Sequence, residues 1–492
     1  MQRHVCCDSR LVGAGDVFVA IPGVNADGMS FVSGAIERGA SEIVAEVPRP
    51  DTGVPKSVKW RMVPDARAEA ARLACVEFGD PSDKLAVFGI TGTNGKTTTA
   101  TLVRRILNDN ACPAGFISTI CNITSPPRKR TALDQIKRRA AVEQNVTPAV
   151  NTTPGPIELQ KLFAEMLTNG CKAVAMEVSS HALDQHRVEG TRFAMVAFTN
   201  LTQDHLDYHK TMDGYYQAKR KLFIPLRAPE VINIDDPYGR RLYGELLQEG
   251  ASNILTYGSS EDAQVRFSDA ELSLEGSSFL LSFPGGSEHM HLKLIGRHNI
   301  YNALAAFSMA FLYGISPHKA ILSLSAAEPV RGRLERVKTK ISSATFFVDY
   351  AHTPDALENV LKTLREATTG RIFAVFGAGG DRDRTKRSIM GAAVMNLADV
   401  CIVTSDNPRK EDPSQIITDI LAGMPGHEKE YTPDGTRRVI VEPDRRAAIS
   451  LSAGLATRPD DIVLIAGKGH ETYQIFADRT EHFDDREEIL SL

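Results

Sequence analysis

One segment constrains this chain more than any other: Leu85-Ala-Val-Phe-Gly-Ile-Thr-Gly-Thr-Asn-Gly-Lys-Thr-Thr-Thr99. Its apolar start predicts a buried strand, glycines follow, and Lys96 and Thr97 open a predicted helix. Backbone N–H groups at a helix N-terminus carry partial positive charge, and glycines let a phosphate approach the backbone closely. Lys96 has the reach for β- and γ-phosphates, and the Thr97 hydroxyl suits Mg²⁺. Strict Walker spacing needs glycine where this chain has Ile90, so Gly92, Thr93, Asn94, Gly95, Lys96 and Thr97, with Thr98 behind them, form a shorter variant. The bland alternative is a glycine-rich turn that binds nothing. The order of strand, glycines, Lys and Thr argues against it.

Around this loop the pattern predicts an α/β protein of three domains. Residues 1–84 carry short apolar runs, Val17–Ile21 and Glu42–Glu46, and a helical stretch at Pro64–Phe78, which suits a small α/β domain. Residues 85–328 alternate apolar runs with helical segments, the signature of a central P-loop ATPase-like, mostly parallel sheet. Its expected strands are Leu85–Ile90, Lys172–Val178, Phe193–Thr199 and Val231–Ile234, with an antiparallel extension over Asn253–Ile295 and a helix at Asn299–Tyr313. Residues 329–492 repeat a doubly wound, Rossmann-like pattern, with strands at Thr345–Val348, Ile372–Phe376, Val400–Thr404 and Ile462–Ala466 and a helix at Pro354–Ala367.

An ATP site needs acidic or basic groups opposite the loop. Glu177 closes an apolar strand at the carboxyl edge, where open α/β sheets place ligands. Thr199-Asn-Leu-Thr-Gln-Asp-His-Leu-Asp-Tyr-His209 crowds polar groups at the next strand end, and His205 beside Asp204 is the candidate ligand there. A structural, hydrogen-bonded histidine is the competing reading. The segment Ser125–Arg139 carries six basic residues and one acid; it reads either as a solvated insertion or as a polyanion contact.

Composition narrows the class without naming a chemistry. The 492 residues hold 57 Lys plus Arg against 61 Asp plus Glu, a net charge of −4, which argues against a nucleic-acid coat or an anionic-membrane binder. No apolar run is long enough to span a bilayer, and Met1–Cys7 lacks the apolar core of a signal peptide. Seven scattered cysteines (6, 7, 75, 112, 121, 171 and 401) without a Cys-x-x-Cys pair suit reduced thiols and predict a cytoplasmic protein.

The motifs taken together resemble the Mur ligases. Thr91–Thr98, Asn151-Thr-Thr-Pro154, Glu177-Val-Ser-Ser-His181, Asp204–His209, Ala218-Lys219, Gly296–Asn299, Asp349–Pro354, Asp406-Asn-Pro-Arg409 and Gly467–Glu471 occur in that family's order. The resemblance runs from Cys7-Asp-Ser-Arg10 to Phe483–Glu487 and points to the members that add the third residue of the peptidoglycan stem peptide. It implies an ATP-dependent amide synthesis through an acyl phosphate, with the protein positioning groups and neutralising charge through Lys96 and two Mg²⁺ ions. It implies that Thr97 and Glu177 hold one magnesium, while His205 and Lys219, the latter carbamylated by CO₂, serve the second. Spacing alone would leave Lys219 on a solvated helix face.

The resemblance further implies that Cys7, Ser9, Val24, Asn25 and Ala26 meet the uridine nucleotide. Asn151, Thr152, Thr153, Ser179, Gln185 and Arg187 fall where the diphosphate and muramoyl portions are held. Asn299 and Asn302 take adenine-side positions, and Arg333 and Asp349 close over the nucleotide from the third domain. The added amine is expected to meet Arg382, Asp406, Asn407, Pro408, Arg409, Gly467 and Glu471. Pro408 restricts the backbone before Arg409, whose planar fork matches the second carboxylate of meso-diaminopimelate, a group that lysine lacks. The expected substrates are therefore a UDP-N-acetylmuramoyl dipeptide and meso-diaminopimelate, handled by a monomer without nucleic acid.

Two departures stand out. The chain starts a few residues before Cys7, where the family usually has a leading segment, so a trimmed first domain is expected; and the stretch from Cys121 to Asn151 is longer than usual. The rivals are the same ligase adding lysine or another diamine, a folylpolyglutamate synthetase, and a catalytically idle scaffold paralogue. The last should have eroded Lys96, Glu177, His205 or Lys219, and all four are intact.

Overall fold

The computed structural model describes residues 3–23, 26–127, 145–223, 228–426, 432, 435 and 438–492. Val24, Asn25 and positions 128–139 of the basic stretch lie outside the described residues.

Among the described residues, three large sheets follow one another along the chain, and a two-stranded antiparallel ribbon, Tyr473–Ile475 with Thr480–His482, follows the last. The first is a parallel sheet of β1 (Val5–Cys6), β2 (Val17–Val19), β3 (Glu42–Ala45) and β4 (Lys59–Met62), in that order. The helix Ala66–Glu77 packs its alanine-rich face on it, with Asp65 accepting from Ala68 N–H as its cap.

The central sheet contains β5 (Ala86–Thr91), β6 (Ala114–Ile117), β7 (Cys121–Ile123), β8 (Val146–Pro148), β9 (Ala173–Glu177), β10 (Phe193–Phe198), β11 (Glu230–Asn233), β12 (Ile254–Gly258), β13 (Val265–Ser273), β14 (Gly276–Phe283) and β15 (Gly286–Leu292). Its order is β15-β14-β13-β12-β11-β10-β5-β9-β6-β7-β8. The middle is parallel, and β13–β15 form the antiparallel extension that the alternating sequence predicts. A second antiparallel edge, β6-β7-β8, was not anticipated, because its last two strands are only three residues long. β5 is apolar and almost wholly buried, covered on one face by the helices Lys96–Asp109 and Arg297–Leu312 and on the other by the helix Pro156–Thr168.

The third sheet runs β16-β17-β21-β18-β19-β20, from β16 (Glu335–Val337), β17 (Thr345–Asp349), β18 (Ile372–Phe376), β19 (Val400–Val403), β20 (Val439–Val441) and β21 (Ile462–Ala466). All pairings but β16/β17 are parallel, and helices such as Pro354–Ala367 and Arg445–Leu455 cover both faces, the doubly wound arrangement. Among the described residues no helix is long and apolar enough to cross a membrane. All seven cysteines are free thiols.

Candidate active site

Neighbouring strands β9, β5, β10 and β11 deliver their carboxyl ends to one edge of the central sheet, where a cleft of about 510 Å³ opens. Sequence reasoning put His205 on a strand end next to that of Glu177; the sheet order corrects this, since β5 lies between β9 and β10. The phosphate loop therefore sits at the centre, with Glu177 on one side and His205 on the other.

The loop is tied to its surroundings by close backbone approaches. Gly92 has φ +149°, and a Cβ there would fall 1.9 Å from Thr199 Oγ1. Gly95, at φ +86°, would bring one to 2.3 Å from Asn302 Oδ1. Only glycine fits both positions. Thr199 Oγ1 donates to Asn94 O (2.6 Å) and Asn94 N–H donates to Asn200 Oδ1 (2.8 Å).

Two lysines converge on one carbonyl. Lys96 Nζ donates to Gly92 O (2.9 Å) and Thr93 O (2.8 Å), and Lys219 Nζ donates to the same Gly92 O at 2.8 Å. Lys219 belongs to the helix Met212–Arg220, is 1% exposed, and lies 4.5 Å from the Tyr215 ring. Burial, and then the neighbouring Lys96 charge, push its pKa well below the usual lysine value; burial also lowers that of Lys96.

Opposite them, Thr97 Oγ1 donates to Glu177 Oε1 (2.8 Å), and Glu177 also accepts from Thr119 N–H (3.0 Å) and Thr119 Oγ1 (3.2 Å). Arg333 reaches across from the third sheet to donate to Thr97 Oγ1 at 3.1 Å, its guanidinium 4.5 Å from the Tyr350 ring. Asp349 orients that turn by accepting from Leu334 N–H (2.6 Å) and Ala351 N–H (2.7 Å). Asn94 Nδ2 and Thr202 Oγ1 donate to Asp355 Oδ2 (2.8 and 3.3 Å), and Lys386 lies 3.6 Å from Asp204, so these contacts and the Arg333 bond join the two units over the loop.

His205 takes a left-handed backbone (φ +54°), with Nε2 3.4 Å from Asp204 Oδ2. Burial drives its pKa down to about 3, leaving a neutral imidazole, the form that binds metals. Among the described residues no three His, Cys, Asp or Glu side chains form a ready-made metal cage. Mg²⁺ seldom needs one, since it keeps waters and takes one or two carboxylates together with substrate phosphates. The Thr97–Glu177 pair at the mouth of a phosphate loop is a donor set of that kind. Lys219 as an ammonium would repel a second ion; burial favours its neutral form, and only a neutral amine can react with CO₂.

The remaining predicted residues sort into connected groups. Thr152 accepts from Thr119 Oγ1 (3.1 Å), Thr153 Oγ1 donates to Glu177 O (2.9 Å), and Arg187 donates to Thr153 O (2.9 Å) and Gln185 Oε1 (2.8 Å). Ser179 caps the helix Ser180–Asp184, and Asn151 is exposed beside them. Asn299 bonds Ile295 O (2.9 Å), and Asn302 donates to Asn299 Oδ1 (3.0 Å). At the carboxyl ends of β18, β19 and β21 a second group gathers. Asn407 Nδ2 donates to Glu471 Oε2 (2.7 Å), Arg409 Nη1 donates to Gly380 O (2.8 Å), and Asp406 lies against Gly467. Arg409 has φ +53°, and both it and Arg382 crowd Gly379. Gly467 N–H donates to Asp349 O (3.0 Å), which links this group to the cleft. Cys7, Ser9 and Ala26 stay on the first unit and do not line the cleft.

Sequence reasoning missed Thr119, Thr202, Asp235, Asp236, Tyr301, His352 and Asp355, all of which line the cleft. Asp235 accepts from Tyr301 OH (2.7 Å), and Asp236 caps the helix Pro237–Gln248. The signal was present: Asp235-Asp236-Pro237 directly follows a buried strand, at the edge already chosen for ligands.

Comparison with known proteins agrees with this geometry. The profile described as Mur ligase family, catalytic domain, matches residues 3–75; the Mur ligase middle domain matches 90–310; and the Mur ligase glutamate ligase domain matches 332–469. The chain is 42% identical over 500 residues to the UDP-N-acetylmuramoyl-L-alanyl-D-glutamate–2,6-diaminopimelate ligase of Geobacter metallireducens, covering 99% of this chain and 93% of that protein. The Geobacter sulfurreducens protein of the same name is also 42% identical, with the same coverage. A solved structure of a ligase of this name superposes with a TM-score of 0.67 at 31% identity, covering 99% of this chain and 93% of the other.

Proposed function

The chain belongs to the Mur ligase family, and from that premise we propose how its cleft works. It is an ATP-dependent ligase that adds diaminopimelate to UDP-N-acetylmuramoyl-L-alanyl-D-glutamate in peptidoglycan synthesis. The observation that carries the residue assignment is the clasp on Thr97. One hydroxyl donates to Glu177 within the central unit and accepts from Arg333 of the third.

Lys96 exchanges the Gly92 and Thr93 carbonyls for the β/γ-phosphates, while backbone N–H groups from Thr93 to Thr98 cradle them. Arg333 adds positive charge as the third unit closes, and Asn299 and Asn302 flank the adenine side. Mg²⁺, when bound, neutralises the phosphate charge; Thr97 and Glu177 would hold one ion, and His205 with carbamylated Lys219 the other. The dipeptide carboxylate takes the γ-phosphoryl group, the incoming amine attacks the acyl phosphate, and phosphate leaves. In each step the protein aligns the groups and offsets developing charge.

Division of labour follows the three sheets, with boundaries at 84/85 and 328/329. The first unit meets the uridine through Cys7, Ser9, Val24, Asn25 and Ala26. Asn151, Thr152, Thr153, Ser179, Gln185 and Arg187 hold the diphosphate and muramoyl portions. Arg382, Asp406, Asn407, Pro408, Arg409, Gly467 and Glu471 receive the meso-amino acid, with Arg409 on its distal carboxylate and Glu471 on its distal ammonium. Seven free thiols support a reducing, cytoplasmic setting.

The test supplies purified protein with the UDP-muramoyl dipeptide, ATP, Mg²⁺ and single amines. Phosphate release is expected with meso-diaminopimelate and far less with lysine. Equal rates with lysine would overturn the Arg409 assignment. No release with any diamine by folded protein would overturn the whole reading.

A further inference from the structure

At the opposite edge of the central sheet lies a second cavity, of about 600 Å³, that the ligase chemistry does not use. It opens at the amino-terminal ends of β10 and β11, whereas the phosphate loop, Glu177 and Asn233 stand at the carboxyl ends. Leu183, Val188, Phe193, Val196 and Leu222 make one side of it apolar, and His186, Glu189, Thr191, Arg192 and Lys221 line the rest. Also lining it is Glu230, the first residue of β11, held by register between Val196 and Ile254. Glu230 is 2% exposed, yet neither of its carboxylate oxygens has a hydrogen-bond partner. Burying an unpaired carboxylate is costly, so such groups are as a rule paired or neutral.

Among the described residues, the cations lining the cavity are paired elsewhere. Lys221 pairs with Asp184 at 2.8 Å, His186 with Asp65 at 3.3 Å, and Arg192 with Asp83 at 3.8 Å. Burial, reinforced by Glu249, pushes the Glu230 carboxyl up to about 7, so an incoming ammonium would recover interaction that this position now lacks. A hard inorganic cation does not fit, because it asks for six or more oxygen ligands and, beside Glu230, only Glu189 and Thr191 bring side-chain oxygens to the lining. The volume lies within the range of small-molecule sites; of the charged lining residues, Glu189, Arg192 and Lys221 are each paired, and Glu230 is the carboxylate that is not.

We propose that this cavity is a second ligand site, taking a small organic monocation whose apolar body fills the chamber and whose ammonium is bonded by Glu230. The inference is independent of the ligase assignment.

The probes are 2-phenylethylammonium and its neutral counterpart 2-phenylethanol, titrated calorimetrically into the full chain and into Glu230→Gln. The ammonium is expected to bind the parent protein and to lose about tenfold or more in affinity with Glu230→Gln, as for removal of a hydrogen bond to a charged group. The alcohol should bind weakly and equally to both. Ligase activity with diaminopimelate, measured without 2-phenylethylammonium, should be unchanged in Glu230→Gln. In methyl-labelled parent protein, the Val188, Val196 and Leu222 signals should shift with the ammonium, a readout that needs no variant. Absence of ammonium binding, equal binding by both chains, or methyl shifts confined to other regions would each overturn the proposal.

Discussion

Replacing Thr97 by valine removes one hydroxyl while keeping the shape of the side chain. The site is 3% exposed, so water cannot substitute for what is lost. Two bonds disappear: the donation to Glu177 at 2.8 Å and the acceptance from Arg333 at 3.1 Å. A bond to a charged group contributes about 1.5–3 kcal/mol, so taking the lower value for each, the pair together gives about 3 kcal/mol where both act in the closed state. Folding should lose only about 1 kcal/mol, because Glu177 keeps the Thr119 N–H and hydroxyl. Catalysis should lose nearly the full amount, since closure of the third unit and the metal-side hydroxyl both depend on Thr97. At about 1.4 kcal/mol per tenfold, kcat/KM should fall by roughly two orders of magnitude, and the Mg²⁺ concentration for half-maximal rate should rise. Thr97→Ser, which restores the hydroxyl, should recover most of the rate. The assay is phosphate release over an Mg²⁺ titration, with urea unfolding as the stability control. A valine variant within about threefold of the parent, with unchanged Mg²⁺ dependence, would refute the reasoning.

Three further outcomes are expected. Arg409→Ala should raise the KM for diaminopimelate by about 10–100-fold, leave that for ATP unchanged and erase selection against lysine, because a bidentate charge-assisted contact is lost; initial rates with each amine check this. His298, whose imidazole burial pushes down to about 4, stays neutral in the fold while the unfolded chain protonates near the ordinary value of 6.5. Its contribution to stability is therefore intact above 6.5 and lost progressively as pH falls toward 4. Urea midpoints between pH 7 and 4 should fall less steeply in His298→Gln. Arg445 and Asp485 form a fully buried pair, with Nε–Oδ1 at 2.8 Å, and Arg445 also donates to Ala466 O at 3.0 Å. Asp485→Ala strands that guanidinium and should cost about 3–5 kcal/mol by denaturant melts, whereas the double change to Met and Leu should cost much less.

Much of the site was legible before any coordinates. Lys96, Thr97 and Glu177 declare themselves because a phosphate loop and a strand-terminal acid are local features, written in consecutive residues. The central strands of the third sheet were equally readable, since Ile372–Phe376 and Ile462–Ala466 are continuous apolar runs, as strands buried on both faces must be, whereas the three-residue edge strands β16 and β20 were not. The short strands β7 and β8 were not, since three residues carry no period and their pairing rests on neighbours. Asp355 and His352 escaped notice for a similar reason. Each lies in a helix-start sequence that would serve any fold, and only the approach of the third unit turns Asp355 toward Asn94 at 2.8 Å.

Lys219 marks the division most sharply. Spacing places it on an ordinary helix and predicts a solvated lysine, yet packing leaves it 1% exposed beside Lys96, both Nζ atoms on the Gly92 carbonyl. The sequence by itself determined the long helices and the central buried strands, the phosphate loop and the order of the motifs, because those depend on neighbours within a few residues. Only the tertiary structure decided which strand ends adjoin, that Arg333 reaches Thr97 across 236 residues, and that an unpaired Glu230 faces a cavity on the far edge. Those outcomes depend on sheet order and burial, which arise from contacts between segments distant along the chain.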